Sequence, residues 1–264
     1  MNPDVILQSP SDNVAGAYAT IGVNTGSEDA DYPAAYLVDG RPGRPAKLTT
    51  TSGSWVLAYG GAQRVDMIVL GAHNLYAATL QGNATNDWTS PSFEVAVEIE
   101  PATADGHSAN AWLPLSGWPG YSAAGFQYWR LLVWSNSPCA VGEVWLGRTV
   151  HVAARNYNWG YTITEKHPVI EHMTEFLIPH TYALGSRQRS IDVTFRATGA
   201  GALVLKEWYR SMKGTGLTGI FVPDGTVNDA WWVRQVNEYT ETVIFTDVCD
   251  ITMTLIEHAS GVPL

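Results

Sequence analysis

The sequence is short of cysteine and charge, and it contains no long hydrophobic run. Its 264 residues include 2 Cys, and only 15% are Asp, Glu, Lys or Arg. Cys139 and Cys249 stand in different halves of the chain, so we expect two buried thiols rather than a disulfide framework. No segment approaches the ~20 apolar residues of a membrane span, and the N-terminal MNPDVILQSPSDN has no signal-peptide character. These absences predict a protein that is made and kept in a cytoplasm, with no membrane partner.

Basic clusters are also missing. The chain carries 15 Lys plus Arg against 25 Asp plus Glu, which is a formal net charge of −10. Because nucleic-acid binding requires cationic side chains that neutralise phosphates, the sequence argues against DNA or RNA recognition. An acidic surface still suits a protein that DNA must pass without sticking, since like charges repel.

Aromatic residues, by contrast, are abundant. The chain has 11 Trp and 12 Tyr, and 45% of its residues are hydrophobic. With so few charged side chains, this composition is typical of β-sandwiches and of surfaces that are buried against partner proteins.

Signatures of catalysis and nucleotide binding are absent from the sequence. No Gly-x-Ser-x-Gly elbow exists, and Gly199-Ala200-Gly201 lacks both the third Gly of a dinucleotide site and the Gly-Lys-Ser/Thr ending of a P-loop. His73 has Asp39 or Asp66 as conceivable carboxylate partners, but a lone His at the end of a strand is usually a hydrogen-bonding loop residue. We therefore predict that the protein is not an enzyme and binds no cofactor.

The segment ITEKHPVIEH, residues 163–172, is the one candidate for a metal site. His167 and His172 are five residues apart, with Pro168 between them. Proline interrupts a helix, and an odd spacing on a strand sends two side chains to opposite faces. We therefore expect surface or interface histidines there and predict no metal.

Short apolar runs separated by Gly, Pro, Ser, Asn and Asp predict an all-β first half. The run from Phe93 to Ile99 alternates with period two, as a half-buried strand does. No stretch of this half keeps a helical period over three turns. The predicted strands cover residues 55–59, 64–70, 93–99, 128–134 and 141–146.

A change of composition near residue 150 predicts two domains, 1–150 and 151–264. In the second, residues 191–195 and 251–255 alternate as strands. Between them, Leu205, Trp208 and Met212 form one apolar stripe that predicts a helix over about 201–213, which ends at Gly214. The second domain is therefore expected to be a β-sandwich or barrel with one flanking helix.

Three segments of the first half resemble the galactose-binding-like, or discoidin-type, jelly roll. They are AYLVDGRPG (35–43), SWVLAYGGAQRVDMIVLGAHNL (54–75) and FQYWRLLVWSNSPCAVGEVWLG (126–147). The likeness lies in an Asp-Gly turn, a Trp-led strand, a Gly turn, an Arg-Val-Asp-x-Ile-x-Leu strand, an aromatic-Arg-Leu strand and a closing strand. The resemblance implies a mainly β fold, and it implies that loops at one end of a sandwich bind ligands such as sugars or lipid headgroups.

The residues of the middle segment support the same interpretation. Asp39 is able to bond the backbone amides of its own turn, and Gly60-Gly61 permits the positive φ of a tight hairpin. The strand over 64–70 is apolar on both faces, which predicts that it is covered on two sides. We therefore expect residues 54–75 to form a central hairpin of the sandwich.

The ligand loops implied by the resemblance are residues 83–88 and 112–121. Their aromatic side chains are candidates for stacking on a sugar or for docking another protein, although some of them are alternatively part of the core. These candidate contact residues are Trp88, Trp112, Trp118 and Tyr121.

The second half looks like tail proteins of long-tailed bacteriophages. The resemblance rests on RSIDVTFRATGAGALVLKEWYRSMKG (189–214) followed by GIFVPDG (219–225). It is similar to minor tail, distal-tail and baseplate components, in which a β-sandwich with one helix forms rings around the tail channel. The resemblance implies a virion protein that is assembled in the host cytoplasm.

Two functions remain open at this point. The leading hypothesis is a non-enzymatic component of a phage tail tip or baseplate, whose partners are further copies of itself and tube, tape-measure and hub proteins. Its candidate assembly interface is Trp231, Trp232 and Arg234. The alternative is a carbohydrate-binding module that adheres to host-surface glycan. A hydrolase is a third and weaker class, because no acid-base constellation is present.

Overall fold

A computed structural model of the protein describes residues 5–99, 110–148, 151–153, 162–166, 169–173, 179–183, 188–214, 216–223 and 230–257. The fold is mainly β, as the sequence predicts. Two α-helices, α1 (Val14–Tyr18) and α2 (Gly199–Ser211), and two short 3-10 helices, Pro10–Asp12 and Ala34–Val38, accompany the strands in this part of the chain. The strands are β1 (Val5–Gln8), β2 (Thr20–Thr25), β3 (Ala46–Lys47), β4 (Ser52–Gln63), β5 (Met67–His73), β6 (Ala77–Asn83), β7 (Phe93–Val97), β8 (Ala111–Pro114), β9 (Phe126–Trp134), β10 (Ala140–Gly147), β11 (His151–Ala153), β12 (Thr162–Lys166), β13 (Val169–Met173), β14 (Pro179–Ala183), β15 (Gln188–Thr198), β16 (Gly219–Val222), β17 (Trp231–Gln235), β18 (Thr240–Phe245) and β19 (Val248–Glu257).

Two antiparallel sheets form a jelly-roll sandwich from the first half of the chain. The outer sheet has the strand order β2-β4-β9-β6-β7, and the inner sheet has the order β3-β10-β5-β8. Alternating side chains of both sheets meet in one core that includes Trp55, Leu57, Trp129 and Leu131. This architecture is the one that the sequence resemblance implies.

The segment 54–75 is not the hairpin that the sequence predicts. β4 pairs with β2 and β9 in the outer sheet, whereas β5 pairs with β10 and β8 in the inner sheet. Gly60 and Gly61 lie inside β4, where the register with β9 shifts between Ala58 and Gln63, and neither glycine has a positive φ. The chain therefore crosses from one sheet to the other after β4 rather than turning back within one sheet.

The strand β5 is covered on both faces, as predicted. All seven of its residues are buried. Ile68 and Leu70 point into the sandwich core, and Met67 and Val69 point into a second apolar cluster on the other side of the inner sheet. This second cluster joins the jelly roll to the second half of the chain.

The second half contributes a large sheet with the strand order β11-β1-β16-β17-β19-β15-β12, with β18 added on β19. Its member β1 comes from the N-terminus and lies between β11 and β16. A division of the chain at residue 150 therefore cuts through one hydrogen-bonded sheet. The two-stranded sheet β13-β14 pairs with no further strand among the described residues.

Helix α2 packs on one face of the large sheet. It begins at Gly199, two residues earlier than the predicted start, and buries Ala202, Leu205 and Trp208. These side chains join a cluster that also contains Trp231. Of the helices in the described part of the chain, none combines the length and the apolar character that crossing a bilayer requires.

The other face of the large sheet packs on the inner sheet, and we call this contact the junction. Trp145 of β10 and Trp232 of β17 meet there edge to face, with ring centroids 5.6 Å apart and an interplanar angle of 85°. The sheets approach closely at Gly71, where a Cβ would lie 2.9 Å from Cζ3 of Trp232. The junction cluster consists of Ile6, Met67, Val69, Trp112, Trp145, Ile220, Val222, Ala230 and Trp232. Among the described residues, the large sheet therefore lies between the jelly roll and the single flanking helix α2.

Candidate functional site

Two loops meet at one end of the jelly roll. Residues 84–92 connect β6 to β7, and residues 115–125 connect β8 to β9. The loops touch where a Cβ on Gly120 would lie only 2.6 Å from the carbonyl oxygen of Ser92. Three of the predicted contact residues, Trp88, Trp118 and Tyr121, lie on these loops.

The loop that carries Trp88 is held by its own hydrogen bonds. The Asn83 side chain accepts bonds of 2.9 Å from the Ala84 amide and from the Ser92 hydroxyl. The indole N–H of Trp88 donates to Oδ1 of Asn86 at 2.8 Å. This internal network fixes the position of the Trp88 ring without help from a ligand, so little ordering entropy opposes binding there.

Three polar side chains stand beside Trp88 on the outward face of the outer sheet. Backbone pairing places Gln81 opposite both Arg130 and Glu94. Nε of Arg130 donates to Oε1 of Gln81 at 2.7 Å, and the Gln81 amide donates to Glu94. The guanidinium carbon of Arg130 lies 4.6 Å from the centroid of the Trp88 ring. We call these four residues the Trp88 platform.

Arg130 remains a charged group within the platform. Partial burial lowers the pKa of Arg130, and the charge of Glu94 opposes that shift. An arginine stays charged at any physiological pH even so, and its planar fork keeps several N–H donors. The platform therefore offers a partly exposed indole ring next to the side chains of Arg130 and Glu94, which the buried Gln81 amide holds side by side.

Trp118 and Tyr121, from the neighbouring loop, have different environments. The Trp118 side chain is 43% exposed. Tyr121 is half-buried, and its hydroxyl donates to Asp66, which also accepts a bond of 2.7 Å from Nε of Arg64. Burial, followed by the hydrogen bond to Asp66, raises the pKa of Tyr121. Trp118 is therefore an exposed side chain outside the Trp88 platform, whereas the Tyr121 hydroxyl helps to hold the β4–β5 connection.

The other predicted contact residues lie in the interior, with one exception. Trp112 is 3% exposed, and Trp231 and Trp232 are each 1% exposed. Trp112 and Trp232 belong to the junction, and Trp231 lies under the guanidinium of Arg189, 4.0 Å from its ring centroid. These placements correct the expectation that the three tryptophans form ligand or assembly surfaces. Arg234 is exposed.

The Asp-Gly turn has the structure that the resemblance implies. Oδ1 of Asp39 accepts the Arg41 amide at 2.9 Å, and Gly40 has a φ of 74°, which a glycine adopts without strain. The Gly40 amide donates to Glu143 of β10 at 3.0 Å. Glu143 is 1% exposed, and this burial, with a smaller contribution from the charge of Asp39, raises its pKa to about 9.

One pair of candidate catalytic residues lies apart in the structure. Asp66 precedes β5 and His73 ends it, so these two conceivable partners lie at opposite ends of one strand. Among the described residues, no group of three or more His, Cys, Asp and Glu is placed to hold a metal ion. His167 lies outside the described residues, and of His172 only the backbone, in β13, is described.

The sequence-based prediction missed the polar part of the platform. Gln81, Glu94 and Arg130 are far apart in sequence and meet only through the pairing of β6 with β7 and β9. One signal was present: Arg130 stands between Trp129 and Leu131, both of which point into the core, so its side chain had to point outward.

No protein-family model matches this chain, and no curated protein matches it. Several solved structures resemble it over about half its length. The fucose-binding module SpX-3 of Streptococcus pneumoniae is 14% identical with a TM-score of 0.39, and the match covers 51% of this chain and 96% of the module. The lectin domain of lectinolysin, complexed with Lewis B antigen, is 13% identical with a TM-score of 0.40 and coverages of 53% and 98%.

A third similar structure is chitosan-binding module 1 of a chitosanase/glucanase from Paenibacillus sp. IK-5. It is 18% identical with a TM-score of 0.35, and the match covers 50% of this chain and 96% of the module. All three of these structures are named for carbohydrate binding. The jelly-roll architecture described above rests on the strand pairings.

Proposed function

We propose that the protein is a non-enzymatic carbohydrate-binding protein and that the Trp88 platform binds the sugar. The observation that carries the proposal is the packing of Arg130 on Trp88, 4.6 Å from the ring centroid, beside Gln81 and Glu94. An indole ring packs well on the C–H face of a pyranose. Planar amide, carboxylate and guanidinium groups have donors and acceptors spaced to bond two adjacent hydroxyl groups.

The charge of the chain favours a neutral glycan. With a formal net charge of −10, the protein repels acidic polysaccharides at long range. Within the platform, the charges of Arg130 and Glu94 oppose each other, so neither sign dominates locally. Neutral hydroxyl groups are therefore the best match to the site.

Affinity electrophoresis tests the proposal directly. Native gels that contain galactomannan, dextran or hydroxyethylcellulose should retard the wild-type protein in at least one case, and gels with alginate should not. Trp88→Ala should abolish the retardation, because the stacking surface is removed. Trp118→Ala, an exposed tryptophan on the adjacent loop, is the matched control and should keep most of it.

Melting curves of the variants separate binding from folding. Trp88 donates one hydrogen bond, to its own loop, so its replacement should leave the melting temperature nearly unchanged. If Trp88→Ala were retarded as strongly as the wild type, the platform would not be the sugar site. If no neutral polysaccharide retarded the wild-type protein, the proposed carbohydrate binding would be wrong.

A role in a phage tail tip or baseplate is the second candidate function. In this role the chain forms a ring with further copies of itself and contacts tube, tape-measure and hub proteins in a virion. The feature that favours it is the hairpin β18–β19. All six residues of β18 are exposed, and Val243 and Phe245 are 69% and 71% exposed.

The hairpin is anchored at its base and apolar at its tip. At the base, the ring of Tyr239 packs on Tyr209 of α2 with centroids 5.6 Å apart, and Lys206 lies 3.8 Å from Glu241. At the tip, β18 pairs only with β19 among the described strands, so one backbone edge is open. An open edge with apolar side chains is a surface that further chains cover.

Light scattering across a concentration series tests the assembly role. A discrete oligomer is expected for the wild type, and Phe245→Glu should shift it towards the monomer. Leu203→Glu, on α2, changes a side chain that is 51% exposed and serves as the matched control. A wild-type protein that stays monomeric at all concentrations, or an equal effect of both variants, would contradict self-assembly through this hairpin.

A further inference from the structure

A pocket of about 370 Å³ lies where the Asp39–Gly40 turn, β10 and the large sheet come together. We call it the junction pocket, and its chemically distinctive lining residues are Asn13, Asp39, Glu143, Trp145 and Trp232. The pocket has the size that small-molecule sites usually have, and it lies between the two halves of the chain, where such sites are frequent. It is separate from the Trp88 platform, none of whose residues line it.

The lining of the junction pocket is acidic. Its described lining residues include Asp39 and Glu143, and none of them is a lysine, arginine or histidine. Arg44 lies 3.7 Å from Asp39, but it belongs to the exposed side of the turn and does not line the pocket. Any ligand with a negative charge is therefore disfavoured there. A positive charge meets the carboxyl group of Asp39 and that of Glu143, which ionises when a cation binds.

The two tryptophans that line the junction pocket favour an organic cation over a metal ion. Trp145 and Trp232 both line the pocket, and the indole N–H of Trp145 donates to Gln8, which fixes the orientation of that ring. The face of an indole attracts an organic cation more strongly than any other side-chain ring does. Ca²⁺ and Mg²⁺ need about six oxygen ligands, which two carboxyl groups and two indoles do not provide.

We propose that the junction pocket binds a small organic cation, an alkylated ammonium group, between the carboxyl groups of Asp39 and Glu143 and the rings of Trp145 and Trp232. The cavity is large enough for such a group with its alkyl substituents. The site depends on both halves of the chain, because Trp232 comes from the large sheet and the other three residues come from the jelly roll.

The ionisation of Glu143 supports the proposal and adds a pH dependence. Burial, with the charge of Asp39, raises the pKa of Glu143 to about 9, while the amides of Gly40 and Arg41 oppose that shift. A bound cation stabilises the ionised form, so binding releases a proton at neutral pH and becomes tighter as the pH rises towards 9. Other titratable side chains lie on the elements packed around the pocket. They are Asp12 beside the lining residue Asn13, Tyr36 before the turn, Arg41 and Arg44 in the turn, Lys47 on β3, His73 on β5 and Arg234 on β17.

Calorimetric titration with choline tests the proposal on the full-length protein. The control ligand is the neutral alcohol in which carbon replaces the choline nitrogen, so that shape is kept and charge is removed. Choline should bind at least tenfold more tightly than this alcohol. Its affinity should increase between pH 6 and pH 8, with proton uptake by the buffer detected as a buffer-dependent heat. Equal affinities for the two ligands would show that the positive charge does not contribute to binding, and this result would overturn the proposal.

Two conservative variants locate the bound cation. Glu143→Gln and Asp39→Asn keep an oxygen acceptor for the Gly40 and Arg41 amides, so both should fold, and each should weaken choline binding at least tenfold. Trp88→Ala should leave choline binding unchanged. A failure of the organic-cation proposal can therefore be distinguished from a failure of the carbohydrate proposal. Unchanged affinity in both carboxyl variants, or binding of calcium but not of choline, would contradict an organic-cation site.

Discussion

The ionisation of Glu143 makes a sharp prediction about stability. Its carboxyl group is 1% exposed and accepts a hydrogen bond of 3.0 Å from the Gly40 amide. Its pKa is raised to about 9 from an ordinary value of 4.5, with burial as the main cause. Glu143→Gln keeps the shape and the acceptor oxygen but removes the titration, so the variant isolates the effect of this one proton.

The sign of the effect follows from proton counting. Between pH 4.5 and about pH 9, folded Glu143 holds a proton that the unfolded chain releases. Folding therefore takes up a proton in this pH range. As a result, the free energy of unfolding falls as the pH rises. Each pH unit changes the free energy of unfolding by about 1.4 kcal/mol, so from pH 5 to pH 7 the wild type loses about 3 kcal/mol relative to the variant.

Urea unfolding followed by tryptophan fluorescence measures this difference. Wild type and Glu143→Gln should have similar stability near pH 4.5, and the variant should be the more stable protein at pH 7. Glu207→Gln replaces an exposed carboxyl group on α2 and is the matched control, with a free energy of unfolding at pH 7 within about 0.5 kcal/mol of the wild type. If Glu143→Gln and the wild type lost stability in parallel from pH 5 to pH 7, folded Glu143 would not hold a proton and the reasoning would be refuted.

Three further predictions concern packing. Gly71→Ala places a Cβ 2.9 Å from Trp232 and should lower the free energy of unfolding by about 1–3 kcal/mol in urea titrations. Arg189→Met leaves Glu257, whose side chain is 0% exposed, without its 2.8 Å ion pair, and calorimetric melting at pH 7 should show a loss of about 3–5 kcal/mol. Trp118→Ala removes an exposed side chain and should change stability by less than about 0.5 kcal/mol. A neutral effect of Gly71→Ala would contradict the close approach of the sheets.

Sequence patterns predicted much of the local structure. Alternation of apolar residues identified β7 and β15, and the apolar stripe of α2 identified the helix to within two residues at its start. The apolar character of both faces of β5 correctly indicated cover on two sides. These features depend on neighbours in sequence, which a periodic pattern reports directly.

The sequence did not predict which strands belong to the same sheet. Period-two alternation shows which side chains are buried, but it does not show which strand lies alongside, so β4 and β5 were expected in one hairpin and lie in opposite sheets. For the same reason β1 was not predicted, because its short apolar run pairs with β16, more than two hundred positions away. Adjacent Trp231 and Trp232 looked like a surface patch because a strand covered on both faces was not anticipated there.

The candidate site was predicted in part. The sequence indicated aromatic residues on loops at one end of a jelly roll, and Trp88 and Trp118 are placed there. It did not indicate Arg130 and Gln81, because their contact depends on the register between β6 and β9. Aromatic residues alone were ambiguous between core and surface, and only the three-dimensional packing separates Trp118 from the buried Trp112.

The most direct test of the account is a saturation-transfer NMR experiment with the neutral glycan that retards the protein most in gels. With the wild-type protein, the pyranose C–H protons of one ring face should receive saturation and shift upfield, because they lie over the Trp88 indole. With Trp88→Ala, both effects should disappear. The same saturation and shift pattern with Trp88→Ala would show that the sugar binds elsewhere and would contradict the central claim.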